Sequence, residues 1–165
     1  MRNFDSSDVR ILRALQQDGR MTVHELAEAA GMSASPCWRR VKQLEQDGVI
    51  TGYHAQLHRR ALNWGVLVFV SITIEDHSAA AAMAFEAAVD ALPEVVACWS
   101  VSGTGDFLLQ VVATDLDAYA DFAMTTIRRM PGIKAMHTTF TLKEVKAPTP
   151  WPIPAATMPA KATKG

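Results

Sequence analysis

Between residues 33 and 43 the chain carries Ser33, Ser35, Trp38, Arg39, Arg40, Lys42 and Gln43, spaced so that several share one side of a helix. Their chemistry is that of hydrogen-bonding groups on mostly long arms. A guanidinium can grip guanine O6 and N7 or a phosphate, an ammonium can meet phosphate charge, and a Gln amide can pair with adenine. At roughly 100° per residue, Ser35, Arg39, Lys42 and Gln43 fall on one side and Cys37, Val41 and Leu44 on the other, with Trp38 and Arg40 on the flanks. A basic helix that follows a shorter helix across a glycine turn has the geometry that enters the major groove of double-stranded DNA. The plainer reading, a solvated charged face on a structural helix, stays open from these residues alone.

The elements that must hold this helix are legible upstream. Asp5 and Asp8 can cap and charge-stabilise a first helix whose stripe is Ile11, Leu12 and Leu15. Thr22 and Glu25 have the spacing of a capping box, opening a second helix with Val23, Leu26, Ala27 and Ala30 on one face. Gly31 supplies the turn. Ser33 then caps the third helix, tolerates Pro36 in its first turn, and the helix runs to about Asp47 before Gly48 stops it. Residues 49–55 are strand-like and read as a short wing, which completes a winged helix-turn-helix over 1–55. Residues 56–63, with His58, Arg59 and Arg60, read as a linker.

From Trp64 the hydrophobic period changes. Strands are expected at 66–74, 95–102, 107–113 and 133–145, and helices at 78–92 and from Asp115 or Asp117 to about Met130. The order β-α-β-β-α-β is the ferredoxin-like, split βαβ arrangement, here over 64–146, and the whole chain is of the α+β class. Residues 147–165 are rich in Pro and Ala and read as a flexible tail. The expected strands are apolar on both faces, yet helices in this topology cover only one. A second copy of the same sheet is the simplest cover, so a homodimer is expected.

A second chemistry-bearing stretch joins two of those strands. Backbone N–H groups at Gly103, Thr104 and Gly105 can receive a carboxylate, while Asp106 can receive an ammonium group, so both ends of an amino acid can be held. The competing reading is a hairpin turn in which Asp106 bonds its own backbone.

Composition narrows the classes further. Hydrophobic residues make up 49% and charged residues 20%, an ordinary globular balance. The longest apolar run, 64–74, is too short for a bilayer and is interrupted by Gly65, Ser71 and Thr73, so no membrane association is expected. The N-terminus lacks the apolar region of a secretory signal, and two distant cysteines, Cys37 and Cys98, fit a reducing cytoplasm. No metal-ligand spacing stands out, so neither a metal nor a cofactor is expected. Net charge is −1, but residues 1–60 carry nine Lys/Arg against seven Asp/Glu, and the rest seven against ten. Positive charge therefore lies on the half that holds the basic helix.

Taken together, these pieces resemble the Lrp/AsnC (feast/famine) family of transcriptional regulators over roughly residues 4–146. The matching stretches include Phe4-Asp5 through Leu12, Asp18-Gly19-Arg20, Glu25-Leu26-Ala27, Gly31-Met32-Ser33, Cys37 through Val41, and Gly48-Val49-Ile50 with Tyr53. They continue with Pro93-Glu94-Val95, Gly103 and Asp106 with Leu108-Leu109, Pro131-Gly132-Ile133, and Thr138 leading into 142–146. At Gly105 relatives often carry an aromatic residue. The resemblance implies a sequence-specific DNA-binding regulator, not an enzyme, located on the cytoplasmic nucleoid and modulated by a small effector such as an amino acid. It implies dimers that assemble into tetramers or octamers. It brings Ser33, Ser35, Trp38, Arg39, Arg40 and Lys42, joined by Gln43, to DNA. It also brings Gly103, Asp106 and Thr138, with Thr104, Gly105 and His137 beside them, to the effector.

Overall fold

Asp5 opens the first helix through its own carboxylate, which accepts the N–H groups of Ser7 and Asp8 at 2.8 Å each. This caps α1 (Ser6–Gln17) in the manner its sequence requires. The expected capping box is complete at α2 (Val23–Ala30): Thr22 accepts from the Glu25 N–H at 3.3 Å, and Glu25 accepts from the Thr22 N–H at 2.7 Å. Gly31, at φ 64°, takes the left-handed conformation that turns the chain into α3 (Ala34–Gln46). Ile11, Leu26, Ala27, Ala30, Cys37 and Leu44 meet as the buried centre of the three helices.

The computed structural model describes residues 4–155, which form two compact units: 4–56 with 146–155, and 57–145. In the first, the run 49–55 contains no strand, against the expectation of a wing strand. The N–H groups of Val49 and Ile50 both turn back to the Leu44 carbonyl, at 2.9 and 3.1 Å, and are used in closing α3. Residues 146–155 are irregular and lie with the helices, where Gln16 Nε2 donates to the Trp151 carbonyl at 3.0 Å. The remainder of the expected tail, 156–165, lies outside the described residues.

The second unit follows the expected β-α-β-β-α-β order: β1 (Val66–Ile74), α4 (Ala79–Asp90), β2 (Val95–Ser100), β3 (Phe107–Ala113), α5 (Leu116–Thr125) and β4 (Ile133–Phe140). The strands lie in the order β2-β3-β1-β4, every neighbour antiparallel. Alternation along β1 explains its two faces. Val68, Val70, Ile72 and Ile74 are buried with Phe85 and Val89 of α4 and Tyr119 and Ala123 of α5. Leu67, Phe69, Ser71 and Thr73 point the other way and stay partly exposed.

Helix α4 and strand β2 end two residues short of the expected 92 and 102, and three further boundaries differ from the sequence reading. The 56–63 stretch is not a plain linker: Arg59–Leu62 form a 3-10 turn, and Arg59 donates to the carbonyls of Trp64 and Gly65 at 2.8 and 3.1 Å. Helix α5 stops at Thr125 and is followed by a 3-10 turn, Ile127–Arg129. Strand β4 ends at Phe140 rather than near 145: Phe140 pairs with Val68, the Thr141 N–H makes a further bond to the Leu67 carbonyl, and residues 141–145 are irregular. None of the described helices is long and apolar enough to cross a membrane.

Candidate nucleic-acid interface and effector site

Helix α3 is oriented by what it buries. Cys37 and Leu44 are fully buried against α1 and α2, which leaves Ser35, Trp38, Arg39, Lys42 and Gln43 exposed along the opposite side. Ser33 stands at the N-cap, but its hydroxyl makes no capping bond to the described residues of the helix. Lys42 donates to Glu45 at 2.7 Å and Gln43 to Asp47 at 2.7 Å. Exposed pairs of this kind contribute little to stability, so a phosphate or base can displace them. Glu45 also accepts from the Tyr53 hydroxyl at 3.1 Å. The Lys42 hydrogen bond, aided by Tyr53, holds the Glu45 carboxyl below its ordinary value, while burial and Glu45 push the Tyr53 phenol up. Trp38 lines a groove of about 220 Å³ with Leu15, Met21, Val41 and Tyr53, all within this unit.

Arg40 departs from the expected DNA-facing set. One of its guanidinium nitrogens lies 2.8 Å from Asp5 Oδ2 and 2.8 Å from Asp8 Oδ1, and Asp8 is only 5% exposed. Its charge is therefore engaged by two of the protein's own carboxylates at a partly covered position, tying α3 to the start of α1. The backbone hydrogen bond from Asp8 is the main influence lowering the Asp5 pKa; burial opposes it and Arg40 adds to it. Arg10 makes a similar tie between the first two helices, its Nε donating to the Ala30 carbonyl at 2.6 Å. These links were illegible in the sequence because they join groups 20 or more positions apart.

The loop before β3 has a built geometry. Gly103, at φ 147°, adopts a backbone angle that other residues avoid. Gly105 is buried, and a Cβ there would overlap Ser71 Oγ and stand 3.1 Å from the Ile72 carbonyl, so any side chain at this position requires Ser71 to shift. The Asp106 N–H bonds the Ile72 carbonyl at 2.8 Å, and its Oδ2 accepts from the Ile74 N–H at 2.9 Å. The hairpin is present, closed by the Val101 N–H on the Asp106 carbonyl at 2.9 Å, but the Asp106 side chain bonds β1 at Ile74 rather than its own local backbone, as the turn reading had it. Its second oxygen, Oδ1, faces His77 Nδ1 at 3.6 Å. Thr104 contributes its carbonyl to the Thr73 hydroxyl at 3.4 Å.

The remaining two expected effector residues separate. On β4, His137 pairs with Ser71 and lies on the sheet face away from the helices, whereas Thr138 pairs with Val70 on the helix-covered face. The Thr138 hydroxyl is hydrogen-bonded to that of Tyr119, a buried residue whose phenol is pushed up by burial. Neighbouring residues of a strand point to opposite sides, so Thr138 and His137 do not share one pocket within a chain. Sequence reasoning missed His77, Ser71 and Tyr119, which only strand pairing and helix packing bring to these positions. Among the described residues no group of three or more His, Cys, Asp or Glu gathers as metal ligands.

Both halves of the chain match known families of domain. Residues 4–51 match a winged helix-turn-helix DNA-binding domain, and residues 67–151 match the Lrp/AsnC ligand binding domain. The chain belongs to the Lrp/AsnC family of DNA-binding transcriptional regulators. It is 42% identical over 143 residues to the leucine-responsive regulatory protein of Rhizobium meliloti, covering 87% of this chain and 92% of that one. It is 37% identical over 145 residues to the Bkd operon transcriptional regulator of Pseudomonas aeruginosa, covering 88% and 95%. Among solved structures it is similar to the transcriptional regulator NMB0573 of Neisseria meningitidis in complex with L-Met. That match has a TM-score of 0.85 at 38% identity, over 90% of this chain and 96% of that one. As an Lrp/AsnC regulator, the chain keeps the family's two-part organisation, with a helical unit for DNA and a sheet-based unit for ligand.

The Asp5 carboxylate gives this helical unit a defined acid response. Its folded-state pKa is lowered, so its contribution is complete above the ordinary value of 3.8 and is lost as pH falls through the depressed value. Asn caps helices about as well as Asp but carries no charge for Arg40. Asp5→Asn is therefore expected to be less stable than wild type near neutral pH, with the gap closing below pH 3.8. Urea unfolding at the two conditions checks this; a gap of constant size would count against it.

Proposed function

We propose that this Lrp/AsnC regulator reads specific DNA sequences with the outward side of α3, using Ser33, Ser35, Trp38, Arg39, Lys42 and Gln43. The observation that carries this reading is the exposure of Arg39 on the side of α3 directly away from the buried Cys37 and Leu44. An Arg so placed has the reach for a bidentate contact to guanine. Replacing Arg39 by Ala is expected to weaken binding to a duplex selected from a random pool by roughly 1–3 kcal/mol, with little change on a scrambled duplex. Equal losses on both would assign Arg39 to the phosphates. The regulator's expected place in the cell is the cytoplasm, on the nucleoid.

The functional form is a dimer built on the open face of the sheet. Leu67 and Phe69 of β1, Leu108 of β3 and Trp99 of β2 share that face, and Trp99 is 46% exposed in the single chain. An apolar sheet face of this breadth is unfavourable in water, and a two-fold partner offers the same surface in return. Sedimentation at micromolar concentration is expected to give a dimer or a multiple of it, such as a tetramer or octamer. A monodisperse monomer would refute the assignment.

The loop 103–106 is the proposed effector site, for a free amino acid. The L-Met bound to the Neisseria regulator supports that class of ligand. Gly103, Thr104 and Gly105 offer backbone to the carboxylate, the Oδ1 of Asp106 the acceptor for the ammonium, and His137 lies on the open sheet face across from Ser71. Asp106→Asn keeps an acceptor for the Ile74 N–H but removes the charge. It is expected to lose the thermal shift that L-methionine or L-leucine gives the wild type. An undiminished shift in the variant would move the ligand elsewhere.

A further inference from the structure

Arg40 lies next in sequence to Arg39, on the same helix, yet its surroundings are of a different kind. Resting on the DNA-reading role proposed above, we propose that Arg40 is a positioning residue for DNA recognition: it fixes the setting of α3 by bridging Asp5 and Asp8 at the start of α1. Four observations carry this. The bridge spans 32 positions of sequence between Asp8 and Arg40, so it fixes one helix against another rather than stiffening a single turn. Both bonds are 2.8 Å, in the range of charge-assisted hydrogen bonds. Asp8 is 5% exposed, so its end of the bridge is held in the interior, while Arg40 itself is only partly covered. Asp5 serves twice, as the N-cap of α1 and as the second carboxylate on Arg40, so the start of α1 and the setting of α3 are one arrangement.

The geometry also separates this role from a DNA contact. A guanidinium held by two carboxylates, in a cluster of net charge −1, is committed to the protein and is not placed to release counterions from a DNA phosphate. Removing it should leave the salt dependence of binding unchanged. A phosphate-contacting Arg would lower the slope of log K against log salt by about 0.9. Both bonds are made by a single nitrogen, so the planar fork of Arg is not required and a Lys ammonium can take its place. At a guanine, by contrast, the fork gives the bidentate contact and Lys substitutes poorly.

The test uses the full chain, a duplex that the wild type selects from a random-sequence pool, and its scrambled counterpart. Arg40→Gln is expected to reduce the ratio of specific to scrambled binding by about tenfold, the discrimination of about one base pair, at unchanged salt slope. Arg40→Lys is expected to restore most of that ratio. Asp5→Asn, which removes one of the two charge pairs and keeps the cap, is expected to fall between them and serves if Arg40→Gln does not fold. A salt slope lowered by about 0.9 would overturn the proposal in favour of a phosphate contact. A Lys variant as impaired as the Gln variant would overturn it in favour of base reading. A lowered melting temperature with an unchanged specificity ratio would reduce the bridge to a structural role and overturn it as well. A wild type that selects no duplex would remove the DNA-reading assignment itself, an outcome distinct from all of these.

Discussion

A reading helix has to be gripped from behind before it can offer anything in front, and that constraint organises the first unit. Helix α3 has thirteen residues, a length at which an isolated helix is marginal in water. Its persistence comes from Cys37 and Leu44, sealed against Ile11, Leu26, Ala27 and Ala30. The same burial fixes the rotation of the helix, because Arg39 and Lys42 can face outward only while Cys37 and Leu44 face inward. Charge refines what apolar burial leaves loose. Side-chain packing sets which side is inside, and the carboxylates of Asp5 and Asp8 add a directional hold at Arg40.

The second unit meets the opposite problem, having more apolar surface than its own helices can cover. Two helices lie over one face of four strands, where Val68, Val70, Ile72, Leu109 and Val111 disappear from solvent. The other face keeps Leu67, Phe69 and Trp99 partly or substantially exposed. Strand alternation makes this division unavoidable, and it sorts polar groups too, sending His137 to the open side and Thr138 to Tyr119 beneath the helices. The loop holding Gly105 and Asp106 is drawn tight against β1 by backbone bonds to Ile72 and Ile74, so that site is coupled to the central strand of the unit.

Much of this was readable in advance where the determining interaction is short in range. Thr22 and Glu25 announced their capping box across three residues, and Asp5 its helix start across a similar interval. The two-residue alternation of β1 and the three-to-four residue stripe of α2 gave the element types. Failures fall where the partner is distant. Residues 49–55 have strand-like side chains, but no sequence window could reveal that Val49 and Ile50 would bond back to Leu44. The end of β4 depended on where its pairing with β1 stops, at Phe140 and Val68, which no local feature of 141–145 announces.

By itself the sequence determined the two-part architecture, the order of the elements, the family, and the side of α3 that carries Ser35, Arg39, Lys42 and Gln43. Those properties follow from periodicity, caps and turn residues, which act within a few positions along the chain. Tertiary structure alone decided that Arg40 belongs to Asp5 and Asp8, that Thr138 belongs to Tyr119, and that Asp106 anchors its loop to Ile74 while keeping one oxygen toward His77. A charged or hydroxyl side chain has several possible partners of similar strength, and only the packing of remote elements determines which one lies within 3 Å or so of it.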